Sequence, residues 1–317
     1  MSVGVELDAQ YRQLREECGL VQRAGRAVVA VTGPDAAEYL QGQLTNDVEG
    51  LGVGEARYAA LLDRKGRIQS DMRVLRPAPE EVLLDFEPGP REAVVRHLST
   101  YSIGRDVAVA DRSEETAVLS LIGPRSAEIA RGGAPLPEDV CERASVGGGI
   151  RCLLAGTAEG VDVLAAAEDL ERLLEALLEA GAVEVSEEAA EILRIEAGRP
   201  RFGAEMGPET MPAEAGIVER AVSFTKGCYI GQETVARLHY KGRPNRVLRG
   251  LRLSAPAEAG EELRLGEKVV GRLGSAAVSP VLGPIGLAIV RREVEPGAGL
   301  AVGEAGVTAR VTALPFG

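Results

Sequence analysis

An α+β fold is what this sequence predicts, and three patterns predict it. A β-rich run, a Gly-Pro step and a helical pattern occur together twice, 90 residues apart: VTGPDAAEYL from Val31 and LIGPRSAEIA from Leu121. Two amphipathic helices are written plainly into AEDLERLLEALLEAGAVEV and SEEAAEILRIEAGRP. After Asn245 only short β-rich runs remain, parted by glycine and proline. A repeated half that lays a helix on a sheet, followed by an all-β end, is an α+β arrangement with an internal pseudo-repeat and a C-terminal barrel-like domain.

The elements follow in chain order. Residues 8–18 read as a first helix, with Leu7, Tyr11 and Leu14 on one stripe. Ala27–Val31 is a strand. Gly33 breaks it, and Pro34 opens the helix Asp35–Gln41, where its missing N–H costs nothing. ARYAALLDRKGRIQSDMRVLRP and EEVLLDF read as antiparallel strands over 57–86, with a polar break at Asp63–Gly66. Arg91–Ser99 is helical. His97 lies beside its apolar stripe, a packing or surface position more than a catalytic one. Residues 131–150 read as a Gly/Pro-rich connection, and strands follow at 150–155 and 161–165. Leu170, Leu173, Leu174, Leu177 and Leu178 form the stripe of the next helix, which Gly181 ends. Ser186 caps the helix after it, and Gly198 and Pro200 close that one. Its last turn carries Glu196, a carboxylate that the helix dipole opposes, placed either by surface tolerance or for a ligand. Residues 199–216 have little periodicity and read as a loop over a surface or cleft. In the β-rich end, Pro256–Gly266 reads as a turn region.

Composition narrows the function classes. Of 317 residues 45% are hydrophobic and 26% charged, which suits a globular chain. The start lacks an apolar signal core and no run is long enough to span a membrane, so a cytoplasmic protein is expected. A net charge of −12 argues against direct nucleic-acid binding. Cysteines at 18, 141, 152 and 228 show no CxxC spacing, and with only two histidines neither a zinc site nor a disulfide framework is indicated. Dinucleotide, P-loop and nucleophile-elbow motifs are absent. No coiled-coil pattern calls for self-association, so a monomer is expected.

The densest cluster of functional residue types is SFTKGCYIGQETVARLHYKG, from Ser223. Cys228 admits three readings: a small buried residue, a thiolate with its pKa lowered by Lys226, or a group that binds or senses. Gly227 and Gly231 allow tight backbone around Cys228 and Tyr229. Gln232 and Glu233 offer an amide and a carboxylate to a flat heterocycle, and Glu233 stands four residues before Arg237. From Lys226 to Arg249 six cations stand against the single acid Glu233, a candidate for the anionic end of the same ligand.

KGCYIGQE, Lys226–Glu233, resembles the signature of the YgfZ family of folate-binding proteins, bacterial relatives of a mitochondrial iron–sulfur assembly factor and related to the glycine cleavage T-protein, an aminomethyltransferase. TGPDAAEYLQGQLTNDV (32–48), GRIQSDMRVL (66–75), LRIEAGRPRFGAEM (193–206) and IGLAIVRREV with the following LPF resemble that group's other blocks. The resemblance implies a three-domain ring with a central folate cleft: 1–48 with 112–245 as a discontinuous folate-binding core, 49–111 as a second antiparallel α+β domain, and 246–317 as the barrel. It implies tetrahydrofolate or a one-carbon derivative as cofactor. It implies a role for Cys228, aided by Lys226, and folate contacts at Glu196, Asp71 and Asn46; the residue types of Tyr229, Gln232, Glu233 and Arg237 add these four as candidate contacts. The expected function is an accessory factor for assembly or repair of iron–sulfur client enzymes, tRNA-modifying ones included. The alternatives are a folate-dependent aminomethyltransferase or one-carbon transferase, and a non-catalytic scaffold. The T-protein pattern has paired acids where this chain has Ser70-Asp71, which puts the transferase alternative in doubt at this stage.

Overall fold

The computed structural model describes residues 3–316. The chain divides into two compact units. One comprises the segments up to Leu61, Ser70–Ala190 and Thr225–Ile230; the other comprises Leu62–Gln69, Glu191–Phe224 and the chain from Gly231 onward.

The first unit is built from one motif used twice. Its first run is α1 (Val3–Glu16), β1 (Gly19–Gln22), β2 (Ala27–Thr32), α2 (Ala36–Gln43), β3 (Ala56–Leu62), β4 (Ile68–Ala78) and β5 (Glu81–Phe86). The second is α3 (Arg91–Tyr101), β6 (Ala108–Asp111), β7 (Thr116–Ile122), α4 (Ser126–Arg131), β8 (Cys141–Val146), β9 (Ile150–Gly156) and β10 (Gly160–Ala166). Then come α5 (Leu170–Glu179), β11 (Val183–Glu184) and α6 (Glu187–Glu196). One sheet runs β3-β4-β5-β2-β6 and the other β11-β1-β7-β10-β9-β8. The short leading strand of each run is exchanged. β6 pairs with β2, and β1 pairs with β7.

The Gly-Pro steps behave identically in both runs. Gly33 and Gly123 have φ of 123° and 124°, a region that L side chains avoid. A Cβ on Gly33 would lie 2.3 Å from the Asp106 carbonyl oxygen, and one on Gly123 2.4 Å from that of Glu17. The Gly33 amide donates to Glu80 at 2.9 Å and the Gly123 amide to Glu159 at 2.8 Å. Both glycines are therefore fixed by close backbone approach as well as by dihedral.

Strand alternation sorts side chains to the two faces of each sheet. Val29, Val31, Val74, Leu84 and Phe86 face α2 and α3, meeting Tyr39, Leu40, Val94 and Leu98. Leu119, Leu121, Leu154 and Val163 face α4 and α5, meeting Ile129, Leu173 and Leu177. Between the sheets lie Val28, Leu75, Val118, Leu153 and Leu164. The layers are helix, sheet, sheet, helix, and each fully buried Leu or Phe contributes about 1.5–3 kcal/mol.

In the second unit, α7 (Val218–Ala221) and α8 (Gln232–Lys241) precede β12 (Arg246–Leu253), β13 (Glu262–Leu265), β14 (Lys268–Arg272), β15 (Ser275–Ser279), β16 (Gly283–Arg291), β17 (Gly299–Val302) and β18 (Val307–Thr312). The order β12-β18-β17-β13-β14-β16 closes through a β12–β16 pairing, with β15 added beside β16. Leu251, Leu263, Val270, Val290, Val302 and Val311 fill this barrel. Ile195 of α6 packs on its outside with Ile285, Leu287, Leu314 and Phe316.

Several sequence expectations need correction. The first helix starts at Val3, not residue 8. The connection at 131–150 contains β8, an edge strand whose charged positions Glu142 and Arg143 hid it. The turn region Pro256–Gly266 contains β13. Residues 49–111 make no sheet of their own: β3 to β6 assemble around β2 from the preceding segment.

Candidate functional site

Within the first unit, Thr225–Ile230 is tied to the chain after α2. The Lys226 ammonium donates to the carbonyls of Gln41, Leu44 and Asn46 at 2.5, 2.7 and 2.9 Å. These carbonyls include unpaired ones at the C-terminal end of α2, where a cation is favoured. Burial pushes the Lys226 pKa down to about 8, against the pull of Asp47 and Glu49. The ammonium also lies 5.1 Å from the centre of the buried Tyr229 ring, and burial raises that phenol to about 12. Lys226 thus has three carbonyls for its three N–H groups, and its first work is to hold the motif segment in place.

Cys228, in the same segment, is exposed, whereas Cys18, Cys141 and Cys152 are buried. Burial raises all three of those thiols, Cys18 and Cys152 to about 11. The reading of Cys228 as a buried space-filler is therefore overturned. Among the described residues no three His, Cys, Asp or Glu side chains gather to hold a metal ion.

The loop under Lys226 leads to a buried carboxyl group. Asn46 donates through Nδ2 to the Tyr58 carbonyl at 2.8 Å, and its Oδ1 accepts from the Asp47 amide. On the neighbouring strand, the Tyr58 hydroxyl donates to Asp71 Oδ2 at 2.8 Å. Asp71 Oδ1 is buried and has no hydrogen-bond partner. Burial raises the pKa of this carboxyl group, and the Tyr58 hydroxyl and Arg26 only partly offset that. A buried acceptor left open costs free energy unless a ligand or water completes it. Asp71 Oδ1 thus keeps an acceptor site that no hydrogen bond fills.

Ser70 and Asp71 face opposite ways. Ser70 is fully buried between Ile68 and Met72 on the helix side of β4. Asp71 shares the inter-sheet side with Arg73, which pairs with Asp85 and, at 2.7 Å, with Asp162 of the other sheet. Burial disfavours the charge on Asp85, but Arg26 and Arg73 overcome it and hold that carboxyl below its usual range.

In the second unit, Glu196 ends α6. Its Oε1 accepts from the Ser279 hydroxyl at 2.5 Å, and its carbonyl accepts from the Phe316 amide. Gln232, Glu233 and Arg237 lie on α8, which begins at Gly231 with φ of 84°. The basic stretch is dispersed: Lys226 is turned inward and Arg246 is paired with Glu214 at 2.9 Å, leaving Arg237, Lys241 and Arg243 exposed. His97 meets Gln43 Oε1 at 2.9 Å, and burial lowers its pKa.

Of the residues singled out from sequence, Asn46, Asp71, Lys226 and Tyr229 are joined by these contacts in the first unit, while Glu196, Gln232, Glu233 and Arg237 belong to the second. Tyr58 was missed. It stands five residues before Asp63 and Asp71 five after Gly66, so the hairpin reading itself placed them near one another.

The chain matches the GCVT N-terminal domain over residues 4–226 and the glycine cleavage T-protein C-terminal barrel domain over residues 246–316. It belongs to the glycine cleavage T-protein family. Members similar to it include the aminomethyltransferase of Rubrobacter xylanophilus, 31% identical over 98% of this chain and 86% of that one. That of Streptomyces avermitilis is 32% identical over 99% and 90%, and that of Thermus thermophilus 31% over 99% and 93%. The crystal structure of glycine cleavage system aminomethyltransferase T from Bartonella henselae has the same fold, with a TM-score of 0.88 at 23% identity over 98% of this chain and 89% of that one. The α+β fold with its closed C-terminal barrel is thus a T-protein fold. These similarities do not separate a YgfZ-type member from an aminomethyltransferase.

Proposed function

We propose that this T-protein family member binds tetrahydrofolate or a one-carbon derivative and transfers the one-carbon unit as an aminomethyltransferase does. One observation carries the reading. Of the two positions where T-proteins have paired acids, the one replaced by serine faces the helix-side core, and the one kept, Asp71, is hydrogen-bonded to Tyr58 with its other oxygen open. The loss at Ser70 therefore takes no carboxylate from the Asp71 face, which supports the transferase reading. Similarity to aminomethyltransferases over nearly the whole chain supports the same reading.

When bound, tetrahydrofolate supplies the nitrogen that accepts or yields the one-carbon unit. Asp71 accepts an N–H of the reduced pterin or holds its proton. Asn46 and Lys226 fix the loop and strand that place Tyr58. Glu196 is carried in this proposal by the family resemblance, and Gln232, Glu233 and Arg237 by their residue types, each open to separate substitution. The test is turnover with an aminomethyl-loaded carrier protein and tetrahydrofolate, preceded by calorimetry with tetrahydrofolate. Heat of binding followed by turnover is the expected result. No heat would leave only a scaffold role.

A second reading is favoured by the exposure of Cys228 within KGCYIGQE: an accessory role toward iron–sulfur client enzymes, tRNA-modifying ones included. Cys228→Ala would then keep folate binding and lose support of a cluster-dependent enzyme. Full support by the Ala variant discards that role.

A further inference from the structure

We infer that Tyr58 is a positioning residue for the folate site: by engaging one oxygen of Asp71 it dictates that the other is the atom offered to the ligand. The inference rests on the folate reading above and deepens it. A carboxyl group on a strand can rotate and present either oxygen. Here the Tyr58 hydroxyl donates to Oδ2 at 2.8 Å, while Oδ1 is buried with no partner. The two oxygens are thereby made unlike.

Tyr58 is itself held through its backbone. Its carbonyl accepts from Asn46 Nδ2, and the Asn46 carbonyl accepts from the Lys226 ammonium. A chain of three hydrogen bonds, Lys226 to Asn46, Asn46 to Tyr58 and Tyr58 to Asp71, thus runs from the segment that carries Cys228 to the open oxygen. The charged groups that act on Asp71 from other elements are Arg26 and Glu87, of opposite effect. Arg73, two residues along β4, is engaged with Asp85 and Asp162. Tyr58 is the side-chain hydrogen-bond donor to this carboxyl group, beside the backbone amide of Asp71 itself. A hydrogen bond to an ionised oxygen favours the ionised form, so its removal shifts the Asp71 titration upward.

The experiment is calorimetry of tetrahydrofolate binding between pH 5 and 8 with wild type, Tyr58→Phe, Asp71→Asn and the double variant. The expected result is affinity about tenfold weaker for Tyr58→Phe. The pH below which binding falls should rise, and the double variant should be no weaker than Asp71→Asn alone. Wild-type affinity and pH dependence in Tyr58→Phe, or losses that add in the double variant, would overturn the inference. Carbon NMR titration of the Asp71 carboxyl group needs no ligand, so it separates this failure from failure of the folate reading. Its midpoint must rise in Tyr58→Phe, and an unchanged midpoint also overturns the inference. Should Tyr58→Phe not fold, fluorotyrosine at position 58, a more acidic and stronger donor, must move the same midpoint down.

Discussion

The two runs of the first unit share a backbone plan and differ in what they place between the sheets. Val28 and Val118 occupy equivalent places on β2 and β7. Asp85 is paired opposite Val28, and Leu164 opposite Val118. One strand further out, Arg73 is opposite Asp85, and Leu153 opposite Leu164. The first run therefore has a buried ion pair where the second has two leucines. Two residues before these positions stand Asp71 and Arg151, the former beside Tyr58 and the latter exposed. A single scaffold carries buried polar groups in one run and apolar packing in the other, so the backbone plan alone does not decide what lies between the sheets.

The comparison can be broken at four points. The largest effect is expected at Asp85. Asp85→Asn removes the carboxylate that Arg26 and Arg73 share, leaving them only Glu87 and Asp162, and about 3–5 kcal/mol of stability should be lost in denaturant unfolding. Leu164→Ala, the matching change in the other run, leaves a cavity without removing a charge and should cost about 2–3 kcal/mol. The same pair sets an acid response. The folded pKa of Asp85 is depressed. Its stabilisation is therefore complete above the unfolded value of about 4 and is lost as pH falls through the lower folded value. A unfolding series at low pH should show this slope in wild type and not in Asp85→Asn.

Next comes activity. Asp71→Asn should lower one-carbon transfer by roughly 10²-fold or more, and Arg151→Gln should leave it unchanged. Equal losses in the two variants would mean that the buried polar groups of the first run carry no chemistry. The Gly-Pro steps sharpen the likeness of the runs. Gly33→Ala and Gly123→Ala should each destabilise by about 1–3 kcal/mol, and by similar amounts, because dihedral and carbonyl approach match. Thermal unfolding of the two variants checks this. The smallest effect is at Ser186, whose hydroxyl accepts from the Ala189 amide at 3.3 Å to cap α6. Ser186→Ala should cost about 1 kcal/mol, measured by the same method.

Much of this was legible in the residues. The Gly-Pro repeat announced the two runs because Gly33 and Gly123 are forced by geometry that few other residues meet. Periodicity revealed α5 and α6 because each has an apolar stripe to bury, Leu173 and Leu177 in the second run's core and Ile195 against the barrel. β8 and β13 escaped because short strands with charged, outward side chains look like turns. The strand exchange escaped because the pattern of a strand does not name its partner. In the candidate site, Asp71 and Asn46 came through the family resemblance. The inward turn of Lys226 was hidden because carbonyls, its partners, carry no sequence signal. That Ser70 and Asp71 face opposite sides was not considered in the sequence, although neighbouring residues on a strand point opposite ways.

The exchange of β1 and β6 bears on how the chain leaves a ribosome. When β2 through β5 have emerged, one side of β2 stays open until Ala108–Asp111 arrives, and β1 waits for β7, about 100 residues after its own synthesis. Neither run can close its sheet from its own residues, so a half-length product would carry exposed strand edges apt to aggregate. A chain cut between the runs would have to supply both pieces together for either sheet to be completed.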